Sequence, residues 1–232
     1  VLRGEHETEA IKGAGHLAGR TAWDRAVSHT MNPDAEYHIL NETLRRVFYE
    51  KRWQREACMP HRIFFSQGNY PLKGLHYLLW AMPDILKKYP DTEIYVAGDN
   101  VTRYASVKEK LKIGSYGKYL RDEIVKYGLE EKVHFLGRLQ AEDMCDAYLK
   151  SELFVSASAL ENSPNSVGEA MLLGMPVVSS AVGGVESLLT HEKEGPLFKK
   201  GDTAALAEEI CRLFGDCRLA EELGCKGIAS EV

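Results

Sequence analysis

Short β-branched or aromatic runs bounded by turn residues recur along the chain: "RIFFSQ" (62–67), "EIYVAG" (93–98), "VHFLG" (133–137), "LFVSAS" (153–158) and "PVVSS" (176–180). Each has the length and composition of a buried strand. Between them, residues 72–89, parts of 101–127, 143–150, 166–174 and 204–214 carry apolar side chains at the 3.6-residue spacing of a helix. Strand and helix alternate, which predicts an α/β fold with a Rossmann-like parallel sheet and helices on both faces. The first 60 residues are less regular. There "AEYHIL" (35–40) predicts one more strand, Asn41 stands where it would cap a helix through "ETLRRVFYEKRW", and "ACMPH" (57–61) reads as a linker. The chain therefore divides into 1–60 and a sheet-forming unit at 61–232.

Composition narrows the class. With 232 residues, 44% apolar and 27% charged, the chain can bury one good core and part of another. No apolar run approaches the ~18 residues of a membrane span. Residues 1–10 are polar and acidic, unlike a signal peptide, so a cytoplasmic protein is expected. The five cysteines are odd in number and scattered without a Cys-x2-Cys pair, which argues against both a disulfide framework and a structural zinc site. A formal net charge of -5 supplies no basic surface for nucleic acid. The chain starts at Val1, which reads as a fragment.

In an open parallel sheet, ligands bind beyond the carboxyl ends of the strands. Three loops of that kind stand out: "QGNYPLKG" (67–74) with Gly68, Lys73 and Gly74, "SALENSPNS" (158–166), and "SAVGGVE" (180–186). Free amides at helix starts, glycines and one lysine make a candidate anion site. In the second loop Ser163 and Pro164 read as N-cap and first helical residue, leaving the amides of Asn165 and Ser166 pointing out of the helix end. Val167, Ala170 and Met171 share the face expected to be buried, with Glu169 opposite. Glu161 and Glu169 then flank whatever sits at that end.

The segment "ENSPNSVGEAMLLGMPVVSSAVGG", with seven residues between Glu161 and Glu169, resembles the donor-site motif of glycosyltransferase family 4, retaining enzymes of the GT-B fold. "YPLKG" (70–74), "IYVAGD" (94–99), "VHFLGRL" (133–139) and "SELFVSAS" (151–158) are similar, in order and spacing, to further blocks of that family, so the match covers about 61–216. "GRTAWDRA" (19–26) and "NETLRRVFY" (41–49) resemble a subgroup, in the tract where the acceptor-binding half ends. The resemblance implies the C-terminal half of a GT-B enzyme, of hexosyltransferase type, that moves a sugar from a UDP- or GDP-sugar to a saccharide, a growing polysaccharide or a lipid-linked acceptor. It implies Lys73 as the cation at the diphosphate, with the amides of Asn165 and Ser166. Glu169 falls on the ribose hydroxyls, a vicinal diol suited to a carboxylate's two acceptor oxygens. Glu161 falls beside the donor sugar, and the loop of Gly137, Arg138 and Leu139 meets the base. No cofactor and no metal are expected there, because cations and helix ends supply the positive potential.

The sequence also departs from the pattern. An arginine is expected five or six residues before the lysine, yet Gly68 and Gln67 stand there, so Arg138 or Arg20 would have to substitute. With most of the acceptor half absent, the chain should bind donor better than it turns it over, and any peripheral membrane contact would reside in that missing half. Two other readings stay open: a noncatalytic nucleotide-binding module, and an epimerase or phosphorylase on the same fold. "GAGHLA" (13–18), with Asp34 about 20 residues on, mimics a dinucleotide fingerprint, but no strand-like run precedes it. Gly183 and Gly184 fit a packing turn as well as a sugar contact. The scattered histidines, among them His16, His38 and His134, read as structural, and Cys211 and Cys217 as core fillers.

Overall fold

A computed structural model describes residues 2–41, 43–103 and 115–231. Six parallel strands form the main sheet: β3 (Met59–Phe65), β4 (Glu93–Ala97), β5 (Val133–Gly137), β6 (Ser151–Ser156), β7 (Val177–Ser180) and β8 (Leu197–Phe198), in the order β5-β4-β3-β6-β7-β8. Two further strands, β1 (His16–Gly19) and β2 (Glu36–Ile39), pair in parallel as a separate sheet. The helices are α1 (Leu2–Gly13), α2 (Ala22–Met31), α3 (Val47–Glu50), α4 (Leu75–Lys88), α5 (Ser115–Lys126), α6 (Ala141–Leu149), α7 (Asn165–Leu173), α8 (Thr203–Gly215) and α9 (Cys217–Glu231).

Both faces of the main sheet are buried, as the apolar strand runs require. Successive side chains alternate across it. Ile63, Phe65, Ile94, Val96, Leu153 and Val155 meet Leu78 and Met82 of α4, Leu120 of α5 and Ile210 of α8. Phe64, Phe154 and Val177 face the other way, onto Phe48 of α3, Tyr148 of α6 and Val167 and Met171 of α7. Each such fully buried side chain contributes about 1.5–3 kcal/mol, so the two layers on either side of one sheet carry the fold.

The predicted strands and helices of 61–216 are all present, with shifted ends; the part of the predicted helical stretch at 104–114 lies outside the described residues. Three expectations are corrected. The linker reading of 57–61 fails because Met59 already pairs with Ser151 as the start of β3. Asn41 does not cap a long helix: α3 is a single turn whose N-cap position is Arg46. Tertiary anchors on both sides override local propensity there, since Arg45 is drawn to Glu169 and Trp53 donates from its backbone to the Leu173 carbonyl at 2.7 Å. Finally, the N-cap of α7 is Pro164 in an extended conformation, one residue later than Ser163.

Candidate donor site

From β3 the chain winds outward through β4 to β5, and from β6 outward through β7 to β8, so the strand order reverses between β3 and β6. Loops leaving the carboxyl ends of those two strands diverge around a crevice, the place where open α/β sheets hold ligands. The loop after β3 is tied to the loop after β6 by a bond from the Ala159 amide to the Leu72 carbonyl at 2.7 Å. Gly74 permits that approach. Its φ is +77° and a Cβ there would stand 1.9 Å from the Ala157 carbonyl oxygen, so no other residue fits without moving the backbone.

This docking brings Lys73 to Glu161: Nζ donates to Oε1 at 2.5 Å, and the Ser158 hydroxyl donates to the same oxygen at 2.8 Å. The backbone of Glu161 is held in turn by the Gly184 amide, at 3.1 Å, and by Gly183, whose missing Cβ would lie 1.9 Å from the Glu161 carbonyl oxygen. Both glycines therefore serve close backbone packing under the loop.

Helix α7 begins at the crevice. The Pro164 carbonyl accepts from the amides of Val167 and Gly168, and no side chain caps the helix start. The Ser166 amide points out of the helix end, where the partial positive charge of the helix dipole is strongest. Arg20 comes from the β1–α2 turn and lies across this end, donating to Asn165 Oδ1 at 3.0 Å and to the Ser163 carbonyl at 2.9 Å.

Glu169 stands one turn further along. It points away from Val167 and Ala170 as expected, but that side is covered as well: α7 is buried from Val167 to Leu173, and Glu169 is only 5% exposed. The face opposite Val167 and Ala170 is covered by the segment leading into α3. From it Arg45 makes a two-pronged pair with Glu169, Nε to Oε1 at 2.7 Å and Nη2 to Oε2 at 2.8 Å. The guanidinium also lies 4.9 Å from the centre of the Phe48 ring. Hydrogen bonding to Glu169 raises the Arg45 pKa above its ordinary value. Beneath the pair, Tyr148 is fully buried, donates to the Ser166 carbonyl at 2.9 Å, and has its phenol pushed well up by burial.

The resulting cleft encloses about 480 Å³ and is lined by Arg20, Arg45, Lys73, Glu161, Glu169 and residues 163–166. That volume falls in the range of small-molecule sites, and three cations face two carboxylates around a helix N-terminus. Of the residues singled out in the sequence, Lys73, Glu161, Asn165, Ser166 and Glu169 meet here. Gly68, Gly137, Arg138 and Leu139 do not line it. Gly68 is buried, its Cβ position already filled by Val96, Leu75 and Phe135. Gly137 takes the left-handed φ of +75° at the end of β5 and accepts from the Gly98 amide at 2.8 Å. Leu139 packs against the core, and Arg138 pairs with exposed Asp99 at 2.7 Å. Arg20 therefore, and not Arg138, brings an additional charge to the crevice.

The model of the family "Glycosyl transferases group 1" matches residues 49–229, more than three quarters of the chain. The chain belongs to this family. It is 29% identical over 144 residues to an uncharacterized glycosyltransferase of Methanocaldococcus jannaschii, covering 62% of this chain and 33% of that protein. It is 28% identical over 151 residues to the D-inositol 3-phosphate glycosyltransferase of Corynebacterium urealyticum, covering 62% and 32%. The match thus spans about a third of these relatives. In fold, this group 1 chain is similar to sucrose-phosphate synthase of Thermosynechococcus elongatus, with a TM-score of 0.82, 22% identity, and coverage of 99% of this chain and 56% of that one. It is likewise similar to HepE of Anabaena in complex with UDP-glucose, with a TM-score of 0.80, 21% identity, and coverage of 98% and 62%. The α/β architecture with a parallel sheet flanked by helices is that of the GT-B glycosyltransferases.

Sequence reasoning passed over Arg45. It lies inside the quoted block "NETLRRVFY", but its partner is 124 residues away, and no local spacing points to such a pair.

Proposed function

We propose that the cleft binds a nucleotide sugar and that the whole protein is a retaining glycosyltransferase of hexosyl type. The carrying observation is the convergence of Lys73, Arg20 and the start of α7 on one crevice, with Glu161 and Glu169 on either side. On this reading the diphosphate lies at the Ser166 amide between Lys73 and Arg20. Breaking the bond from sugar to diphosphate leaves new negative charge on phosphate and an oxocarbenium-like sugar. Cations and a helix end fixed at the phosphate stabilise that transition state more than the ground state. Glu169, oriented by Arg45, keeps lone pairs for the ribose diol. Glu161 faces the donor sugar and stabilises its positive charge. Gly137, Arg138 and Leu139 approach the base, and Gly68 shapes the loop carrying Lys73.

The complex of HepE with UDP-glucose supports a UDP-sugar in preference to a GDP-sugar. No metal or other cofactor is assigned to donor binding, since the cations named supply the charge. Residues 1–58 are assigned to the tail of the acceptor domain and the connection from it, and 59–232, from the start of β3, to the donor domain. The acceptor is a saccharide or a lipid-linked saccharide met on the cytoplasmic side of the membrane, by contacts outside this chain. Among the described residues no helix is long and apolar enough to cross a membrane.

The test is calorimetric titration of this chain with UDP, GDP, ADP, their sugar conjugates and NAD in the presence of a chelator. Selective binding of UDP and UDP-sugars is expected, weakened by Glu169→Ala. Binding of NAD alone would overturn the reading.

A further inference from the structure

We propose that His16, Glu36 and His38 form a binding site for one divalent transition-metal ion of the zinc class, separate from the donor cleft. Parallel pairing of β1 with β2 sets His16 opposite Glu36 and Ala18 opposite His38. Glu36 and His38, two residues apart in one strand, project from the same face, and His16 meets them from the neighbouring strand. Nδ1 of His16 lies 3.0 Å from Nε2 of His38 and 3.5 Å from a Glu36 carboxylate oxygen. All three candidate ligand atoms fall within 4.8 Å of one another.

Those separations have a geometric meaning. With zinc to nitrogen and zinc to oxygen bonds of ~2.0–2.2 Å in a tetrahedron, neighbouring ligand atoms stand about 3.3 Å apart. The observed 3.0 and 3.5 Å bracket that value, so an ion would be seated by shifts of a few tenths of an ångström. The chemistry agrees: two imidazoles and one carboxylate suit zinc and its neighbours, whereas magnesium and calcium select all-oxygen sites. Without an ion, the two facing ring nitrogens can share only one proton between them; an ion accepts a lone pair from each. The His16 and Glu36 side chains are 71% and 69% exposed, which leaves the remaining coordination position open to water.

None of the three lines the donor cleft. The site nonetheless sits on the strand that delivers Arg20, the residue directly after β1, so an ion clipping β1 to β2 would fix the strand from which Arg20 enters the cleft.

Isothermal titration of the reduced chain with ZnCl2 tests the proposal, followed by cobalt(II) substitution. One strong equivalent is expected. His38→Ala and His16→Ala should each weaken it at least about tenfold, the scale on which altering a metal site acts. Glu36→Gln, nearly isosteric and on the surface, should weaken it with an unchanged melting temperature in chelator, which separates ligation from folding. The cobalt spectrum should lack thiolate charge transfer, excluding the five cysteines as the source. Affinity unchanged in all three variants, or a cobalt spectrum dominated by thiolate bands, would overturn the assignment.

Discussion

Replacing Arg45 by alanine tests the least expected part of the site. The change removes both bonds to Glu169 and leaves that carboxylate, 6% exposed at its side chain, without its counter-charge. Removing one partner of a fully buried ion pair costs about 3–5 kcal/mol, and of an exposed pair about 0.2–1 kcal/mol. Arg45 keeps 40% of its side chain in solvent, so screening reduces the larger figure, and an intermediate loss of about 2 kcal/mol follows for the pair. The contact with Phe48 adds about 0.5 kcal/mol. At ~2–4 °C per kcal/mol for a domain of this size, the melting temperature should fall by roughly 5–10 °C.

Truncation alone does not isolate the pair, so the decisive experiment is a double-mutant cycle of Arg45→Ala with Glu169→Gln, read by urea denaturation. A coupling of about 2 kcal/mol is expected. If the coupling stays below about 0.5 kcal/mol, Arg45 does not hold Glu169, and its proposed role in orienting that carboxylate toward a ribose falls with it. As a positioning residue, Arg45 should also act on nucleotide binding. UDP affinity should drop by about tenfold, or 1.4 kcal/mol, in Arg45→Ala, with less effect in Arg45→Lys if one hydrogen bond suffices to aim the carboxylate.

Other outcomes follow from the same geometry. Gly74→Ala must place a Cβ against the Ala157 carbonyl at a left-handed φ, so it should cost more than about 2 kcal/mol in chemical denaturation and weaken nucleotide binding by displacing Lys73. On the proposed function, Glu161→Ala in the whole protein should lower kcat more than it raises the donor KM, because the charge it would meet develops only in the transition state; a normal kcat would remove it from the mechanism. Cys211 is buried as expected of a core filler, but Cys217 is exposed, so iodoacetamide should label Cys217 and Cys225 first and leave Cys145 unmodified in the native chain, since it is buried with its thiol pushed up to about 11 by burial; mass spectrometry of tryptic peptides reads this. Burial works against ionisation of Asp24, but hydrogen bonds from Tyr37, the backbone of Arg20 and Thr21, and Asn162 hold its pKa below the ordinary 3.8. Its contribution is therefore complete above pH 3.8 and is lost as the pH falls through the lower folded-state value. Asp24→Asn should flatten the acid limb of the stability curve below that pH, as followed by circular dichroism.

How much of this was legible depends on where each signal resides. The sheet unit announced itself because its strands are buried on both faces, so "RIFFSQ" and "LFVSAS" are apolar without interruption, and helices of regular period separate them. The first 60 residues offered less. Helix α1, "LRGEHETEAIKG", has no apolar stripe, and β1 is four residues with none buried, so periodicity had nothing to register. A usable mark stands at α2: the Thr21 hydroxyl accepts from the Asp24 amide and the Asp24 carboxylate accepts from the Thr21 amide, a Thr-x-x-Asp capping box. In the site, Lys73 and Glu161 stand in loops that local chemistry identifies, and Glu169 in the helix that follows the second of them. The contacts made from the first 60 residues carry no local signal, since Arg45 reaches Glu169, Arg20 reaches Ser163 and Thr21 reaches Asn162 across more than a hundred residues.

Those long-range contacts share an origin, and it bears on the charge absent at Gln67 and Gly68. Arg20 and Arg45 both enter the cleft from the segment ahead of β3. That segment is fastened by the Thr21 hydroxyl donating to Asn162 Oδ1 at 2.6 Å, by Asn162 Nδ2 donating to Asp24 at 2.9 Å, and by the Ala22 amide donating to the Ser187 hydroxyl at 3.2 Å. A phosphate-binding arginine rooted in the β3 loop would be fixed whatever the rest of the chain did. An arginine carried by the β1–α2 turn is in place only while that turn stays docked on Asn162, Ser163 and Ser187. On the proposed function, donor affinity is then coupled to docking, and Asn162→Ala, which removes no charge and touches neither Lys73 nor Glu169, should weaken UDP binding through Arg20 alone. Added to Arg20→Ala it should do nothing further. A titration in which the two effects simply sum would show that Arg20 acts independently of the turn that carries it.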